Sequence, residues 1–121
     1  MQFKIGNDII EVKRIKQSFQ KFPDKFKTRV FTDKEIDYCE KKGPNKYQCY
    51  AARFAAKEAV FKAVSDTIED KYSVDWKDIE IINDKSGRPY ANVKNAQIKS
   101  IDISISHIKE YAIATALVII D

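Results

Sequence analysis

The side chains with chemistry to offer are Asp8, Arg53, Lys57, Glu58, Lys62 and His107. Glu58 and Lys62 lie four apart in an alanine-rich run. At 100° per residue they share a helical stripe with Ala51, Phe54, Ala55 and Phe61, and interrupt its apolar character. An ordinary helix ion pair is the plain reading of Glu58 and Lys62. Arg53 and Lys57 are also four apart but of like charge, which costs a few tenths of a kcal/mol unless something anionic lies between them. The plain reading of that pair is a solvated edge. Asp8 follows Gly6 closely and either caps a helix N-terminus or acts as a ligand. Two carboxylates from separate elements, with lysines and arginines nearby, suit a hard divalent cation shared with phosphate. Mg²⁺ is held by one or two carboxylates, and water and phosphate oxygens complete its octahedron. His107 is the one histidine and ends Ser104-Ile105-Ser106-His107. A lone histidine is more often structural, but alternating hydroxyls at a strand end favour a functional place.

These residues need elements to position them. Phe3-Lys4-Ile5 reads as a short strand closed by Gly6-Asn7-Asp8. Ile9, Val12, Ile15 and Phe19 then carry a helix from Ile9 to about Phe22, which Pro23 ends or interrupts. Thr32 and Glu35 form a capping box that opens a helix from Asp33 to about Lys41. Gly43-Pro44-Asn45 is a break. Gln48 to about Asp66 is the strongest helix, and its Ala52, Ala56, Ala59 and Ala63 stripe would let another backbone approach closely. Strands follow at Asp78–Ile82 and Tyr90–Val93, joined by a turn at 83–89. Ile101, Ile103 and Ile105 alternate with polar residues as a half-buried strand, and His107–Glu110 makes a turn. Tyr111–Ile120 is nearly all apolar and is expected to be a central strand buried on both faces. The order implies an α+β fold, with an antiparallel sheet packed against a long helix.

The chain has 121 residues, expected to form a single domain over 1–121, large enough to bury a core unaided. Two cysteines, Cys39 and Cys49, are too few for a disulfide scaffold and suit a reducing compartment. No apolar run approaches a membrane span, and Met1–Lys4 does not begin a signal peptide, so the expected location is the cytoplasm. The net charge of +4 hides a split. Residues 1–62 hold fifteen Lys/Arg against eight Asp/Glu, and residues 63–121 hold seven against ten. Between Lys13 and Arg29, seven basic residues face only Asp24. Such a field fits an acidic partner, whether nucleic acid, an anionic membrane or an acidic protein, or simply a lysine-rich soluble surface. Against nucleic acid, Phe19, Phe22 and Phe26 sit at helical spacing, as core does, and no nucleic-acid motif accompanies the charge.

The segments Ile5-Gly6-Asn7-Asp8-Ile9-Ile10-Glu11, Arg53-Phe54-Ala55-Ala56-Lys57-Glu58-Ala59-Val60-Phe61-Lys62-Ala63, Gly87-Arg88-Pro89 and Ser104-Ile105-Ser106-His107 resemble the holo-acyl-carrier-protein synthases. These are the short bacterial branch of the 4′-phosphopantetheinyl transferases, and the resemblance runs from Ile5 to about Val118. It implies a 4′-phosphopantetheinyl transferase-like fold. It also implies transfer of phosphopantetheine from coenzyme A to a serine of apo acyl carrier protein. Adenosine 3′,5′-bisphosphate is released, in the service of fatty acid biosynthesis. By the resemblance Asp8 and Glu58 are magnesium ligands, and Lys62 meets the pyrophosphate. Arg53, Lys57, Gly87, Pro89, Ser106 and His107, with Lys62, contact coenzyme A, whose phosphates would answer the like-charge pair. Glu58, directly or through a metal-associated water, is expected to help deprotonate the carrier serine. Arg14, Lys13 and Lys25 fall on the carrier-protein docking surface. Ile15 and Phe22 either supplement it or belong to the core. The resemblance further implies a homotrimer with active sites at subunit interfaces, and neither nucleic acid nor membrane as partner. One departure stands out. Val64–Asp70 lacks the glycine-containing stretch common in the family, which bears on coenzyme affinity and acyl-coenzyme A tolerance.

Overall fold

A computed structural model describes the chain at every residue but Asn95; at Lys71 only the backbone is described. Strand β1 runs from Gln2 to Glu11 and pairs antiparallel over its full length with β5, Tyr111–Ile120. The expected short strand and helix start at Ile9 are therefore corrected. Asp8 lies mid-strand opposite Ala114 and does not cap a helix. Asn and Asp disfavour strands locally, but an unbroken ladder to an apolar partner overrides that preference. Helix α1 spans Val12–Lys21, and Pro23 opens a further helix, α2, Pro23–Val30, at the first-turn position that proline tolerates. Helix α3, Asp33–Glu40, starts with the expected capping box. The Glu35 amide donates to Thr32 Oγ1 at 3.3 Å and the Thr32 amide to Glu35 Oε1 at 2.8 Å. Helix α4, Lys46–Val64, passes into a short turn at Ser65–Thr67.

Strands β2 (Ile79–Asn83) and β3 (Pro89–Val93) form a hairpin, while β4 (Ser100–His107) completes a sheet of order β1-β5-β4. All pairings are antiparallel. Helix α4 packs on one face of the three-stranded sheet, where β5 presents Ala112, Ala114, Ala116 and Val118. The small-residue stripe does what its spacing implied. A Cβ on Gly6 would stand 1.8 Å from the Ala59 carbonyl oxygen and 2.8 Å from the Ala63 amide nitrogen, so β1 and α4 touch backbone to backbone. The expectation that β5 is buried on both faces is overturned. Its burial alternates, and Tyr111, Ile113 and Leu117 are exposed alongside Phe3, Ile5 and Ile9 of β1. In a single chain only one helix layer covers this sheet.

A second core lies under α1–α3, where Phe19 meets Phe26, Phe31, Tyr47 and Tyr50 at ring centroid distances of 4.6–6.3 Å. Cys39 of α3 and Cys49 of α4 are bonded to each other there, with Cα atoms 5.4 Å apart. The pair is a local staple between two helices, which the count of two cysteines did not anticipate. No helix among the described residues is long and apolar enough to cross a membrane.

Candidate active site

Asp8, Glu58 and Lys62 come together where β1 passes α4. The contact at Gly6 sets that distance, and the alternation of β1 puts Asp8 on the helix side, two residues along. Lys62 Nζ donates to Asp8 Oδ1 at 3.2 Å and to the Asn7 carbonyl at 3.0 Å, so the lysine bridges helix and strand. Glu58 is half-buried, and its pKa is raised from 4.5, by burial first and then by the Asp8 charge, with Lys62 opposing. The expected ion pair of Glu58 with Lys62 is thus redirected: the lysine pairs with Asp8 instead.

Burial and the Asp8 charge disfavour the ionised form of Glu58, and these two carboxylates are the groups here that could hold a small hard cation. Among the described residues no group of three or more His, Cys, Asp or Glu side chains that could hold a metal ion exists. Mg²⁺ is held by one or two carboxylates, with water and phosphate in its remaining positions.

A second group of residues lines a cleft of about 340 Å³ between α3, α4, the β2–β3 hairpin and the end of β4. Arg53, Lys42, Gln48, Asn83, Pro89 and His107 face it. Arg53 is only 4% exposed, lies 4.2 Å from the Tyr38 ring centre, and donates through its Nη2 to Asn83 Oδ1. Among the described residues its buried Nε has no hydrogen-bond partner. Burial pushes the guanidinium pKa down, which an arriving anion would reverse. Gly87, at φ 89° where glycine is favoured, sits in the hairpin turn, and its carbonyl accepts from Asn83 Nδ2 at 2.8 Å. Arg53 and this turn are thereby linked through one asparagine.

Not every expected contact is offered to this cleft. Lys57 is fully buried, and its three protons go to Glu35 Oε1 at 2.8 Å, the Trp76 carbonyl at 3.0 Å and the Ile79 carbonyl at 2.6 Å. The anion that answers the Arg53–Lys57 repulsion is thus the Glu35 carboxylate, inside the protein. Ser106 sits on the opposite face of β4 from His107, because adjacent strand residues alternate. Glu58 lines a different hollow of about 320 Å³, with Phe61, Tyr72, Val74, Asp75, Trp76 and Ile79. Within one chain, then, the Asp8–Glu58–Lys62 group and the Arg53 cleft are separate places.

On the basic face, Arg14 is exposed and lies 3.2 Å from Glu11. Lys13 and Lys25 are also exposed, and Phe22 is 52% exposed beside a hollow shared with Lys25, Phe26 and Arg29. Ile15 is 2% exposed and belongs to the aromatic core, so it offers nothing to a partner. The sequence reading missed Glu35, Tyr38 and Asn83. Glu35 showed itself only as a capping residue, since its other partners are 22 and 46 positions away.

A family model described as the 4′-phosphopantetheinyl transferase superfamily matches residues 4–116. The chain is 41% identical over 126 residues to a holo-[acyl-carrier-protein] synthase of Ruminiclostridium cellulolyticum, covering 98% of this chain and 92% of that one. It is also similar to a crystal structure of a holo-(acyl-carrier-protein) synthase from Bacillus anthracis in complex with CoA (3′,5′-ADP). There the identity is 36% and the TM-score 0.80, covering 98% of this chain and 96% of the other. The Helicobacter pylori holo-[acyl-carrier-protein] synthase in complex with coenzyme A matches at 31% identity and a TM-score of 0.82, over 94% and 98%.

Proposed function

The chain belongs to the 4′-phosphopantetheinyl transferase superfamily, among its holo-[acyl-carrier-protein] synthases, and on that premise we propose how its residues perform the transfer. The 121 residues act as one domain that moves phosphopantetheine from coenzyme A to a serine of apo acyl carrier protein, serving fatty acid synthesis in the cytoplasm. The convergence of Asp8, Glu58 and Lys62 at the β1–α4 contact carries this reading. The serine oxygen attacks the β-phosphorus of coenzyme A. A new phosphorus–oxygen bond forms, and the bond to the bridging oxygen breaks, releasing adenosine 3′,5′-bisphosphate. Glu58 accepts the serine proton, directly or through a metal-associated water. The Lys62 ammonium offsets charge on the pyrophosphate and its leaving oxygen. Asp8 and Glu58 would hold Mg²⁺, which when bound supplies further neutralisation of the phosphates.

Arg53 and His107 line the cleft that takes the remaining phosphates and the nucleoside, with Pro89 and the Gly87 turn at its edge. The separation of this cleft from Asp8 and Glu58 supports a site completed by a neighbouring copy. So does the exposed apolar sheet face of Phe3, Ile5, Ile9, Ile113 and Leu117. We take the assembly to be a homotrimer. Arg14, Lys13, Lys25 and Phe22 form the docking face for the acidic carrier protein.

The test is incubation with coenzyme A, Mg²⁺ and an apo carrier protein, followed by mass spectrometry. Addition of phosphopantetheine to the serine is the expected result. Absence of any addition across several carrier proteins, with Mg²⁺ or Mn²⁺, would overturn the reading.

A further inference from the structure

Glu35 is a carboxylate with 1% exposure that the chemistry above does not use. Its oxygens collect three donors from three elements: the Thr32 amide at the start of α3, Lys57 Nζ of α4, and the Ile81 amide of β2, each at 2.8 Å. Ile81 lies on a strand paired on one side only, so this amide would otherwise be an unpartnered sheet edge inside the protein. Every proton of Lys57 and both oxygens of Glu35 are engaged, so the inner set is closed.

The cleft wall repeats this set one step outward. From Glu35 to Tyr38 is about one turn of α3, from Lys57 back to Arg53 is about one turn of α4, and from Ile81 to Asn83 is one repeat of β2. Within this outer set Arg53 contacts both of the others, with the Tyr38 ring under its guanidinium and a hydrogen bond to Asn83. The inner set is saturated, whereas in the outer set Arg53 Nε has no hydrogen-bond partner among the described residues, beside the cleft.

We infer that Glu35 is a positioning residue for coenzyme binding: its carboxylate fixes α3, α4 and β2 in the register that holds Arg53 between Tyr38 and Asn83, facing the cleft. The charge matters as well as the shape. Arg53 and Lys57 are two cations one turn apart in a dry interior, and Glu35 is the anion against them. Without it the two cations repel, Lys57 loses a partner, and the ladder edge at Ile81 is released. Arg53 then no longer has both its supports. The inference rests on the reading of the Arg53 cleft as the coenzyme site.

The experiment compares Glu35→Gln, Arg53→Met and the double variant, using calorimetric affinity for coenzyme A, steady-state kinetics and thermal melting. Arg53→Met should weaken coenzyme A by one to two orders of magnitude. If it does not, the reading of the cleft fails, whatever Glu35 does. Glu35→Gln should weaken coenzyme A about tenfold or more, with kcat at saturation and the KM for carrier protein within threefold of the parent. In the Arg53→Met background the same change should add less than twofold, because the route through Arg53 is already gone. Full additivity, or equal loss in both KM values and kcat, would overturn the positioning role and leave Glu35 as general support of the fold. Should Glu35→Gln fail to melt cooperatively, Glu35→Asp keeps the charge on a shorter arm. It should shift coenzyme affinity in the same direction by a smaller factor. Unchanged affinity in a folded Glu35→Asp protein would also overturn the role.

Discussion

At Glu58 the site works against the stability of the fold. A carboxyl whose pKa is raised in the folded state binds its proton more tightly there than in the unfolded chain. Stability therefore falls as pH rises through 4.5 and on through the raised value, the reverse of the usual carboxylate. Glu58→Gln removes that penalty. In the metal-free protein its Tm should equal or exceed that of the parent at neutral pH, with the difference vanishing in acid. The same variant should lose about 10²–10⁴-fold in kcat, as expected for a general base. A variant that melts lower and turns over normally would contradict both statements. Lys62 shows how contact decides role: spacing allows it to pair with Glu58, yet its ammonium is on Asp8, from an element 54 residues away.

The decisive element contact is the one between β1 and α4. Gly6 is needed for closeness, since any Cβ there meets the Ala59 carbonyl. Gly6→Ala must push the strand off the helix, and overpacking of this kind costs about 1–3 kcal/mol or more. Because Asp8 is two residues along the same strand, the variant should lose activity even under conditions where it remains folded. Melting and turnover of Gly6→Ala measured together check this, and a protein unchanged in both would show that the strand can shift without consequence. The capping box, the hairpin turn and the long helix were all legible in the sequence, because each depends on neighbours a few positions away. The length of β1 was not legible: Asn7 and Asp8 look like a turn until a ten-residue partner at the other end of the chain pairs with them.

At the scale of the molecule, two exposed surfaces matter: the basic one on α1 and α2, and the apolar one on the sheet. Arg14 is exposed, and its pair with Glu11 is a solvated one worth little, so its charge is available to a partner. Arg14→Glu should raise the KM for carrier protein severalfold and leave that for coenzyme A unchanged. The parent's carrier KM should rise steeply between low and physiological salt, as charge screening shortens its range. Equal changes for both substrates would remove the docking assignment. On the sheet face, Ile5 is 70% exposed among other apolar side chains. If the chain assembles as proposed, Ile5→Glu should leave monomers by sedimentation and abolish turnover, since no neighbouring copy would then bring its Arg53 cleft up to the acid cluster. An active monomer would count against the shared site.

The sequence alone determined α3 with its capping box, the long helix α4 and the antiparallel β2–β3 hairpin. Those follow from local periodicity and from residue patterns held in short segments. Only the tertiary structure decided what each charged group faces. Lys57 carries a side chain that suits a surface or a site, yet it is enclosed. Phe22, by contrast, has the spacing of core and lies open. Glu35 reads as a capping residue and proves to tie three elements together. The physical reason is the same in every case. A side chain's role depends on which distant groups desolvate it or bond to it, and the packing of α4 against the sheet, α3 and β2 settles that for Lys57 and Glu35.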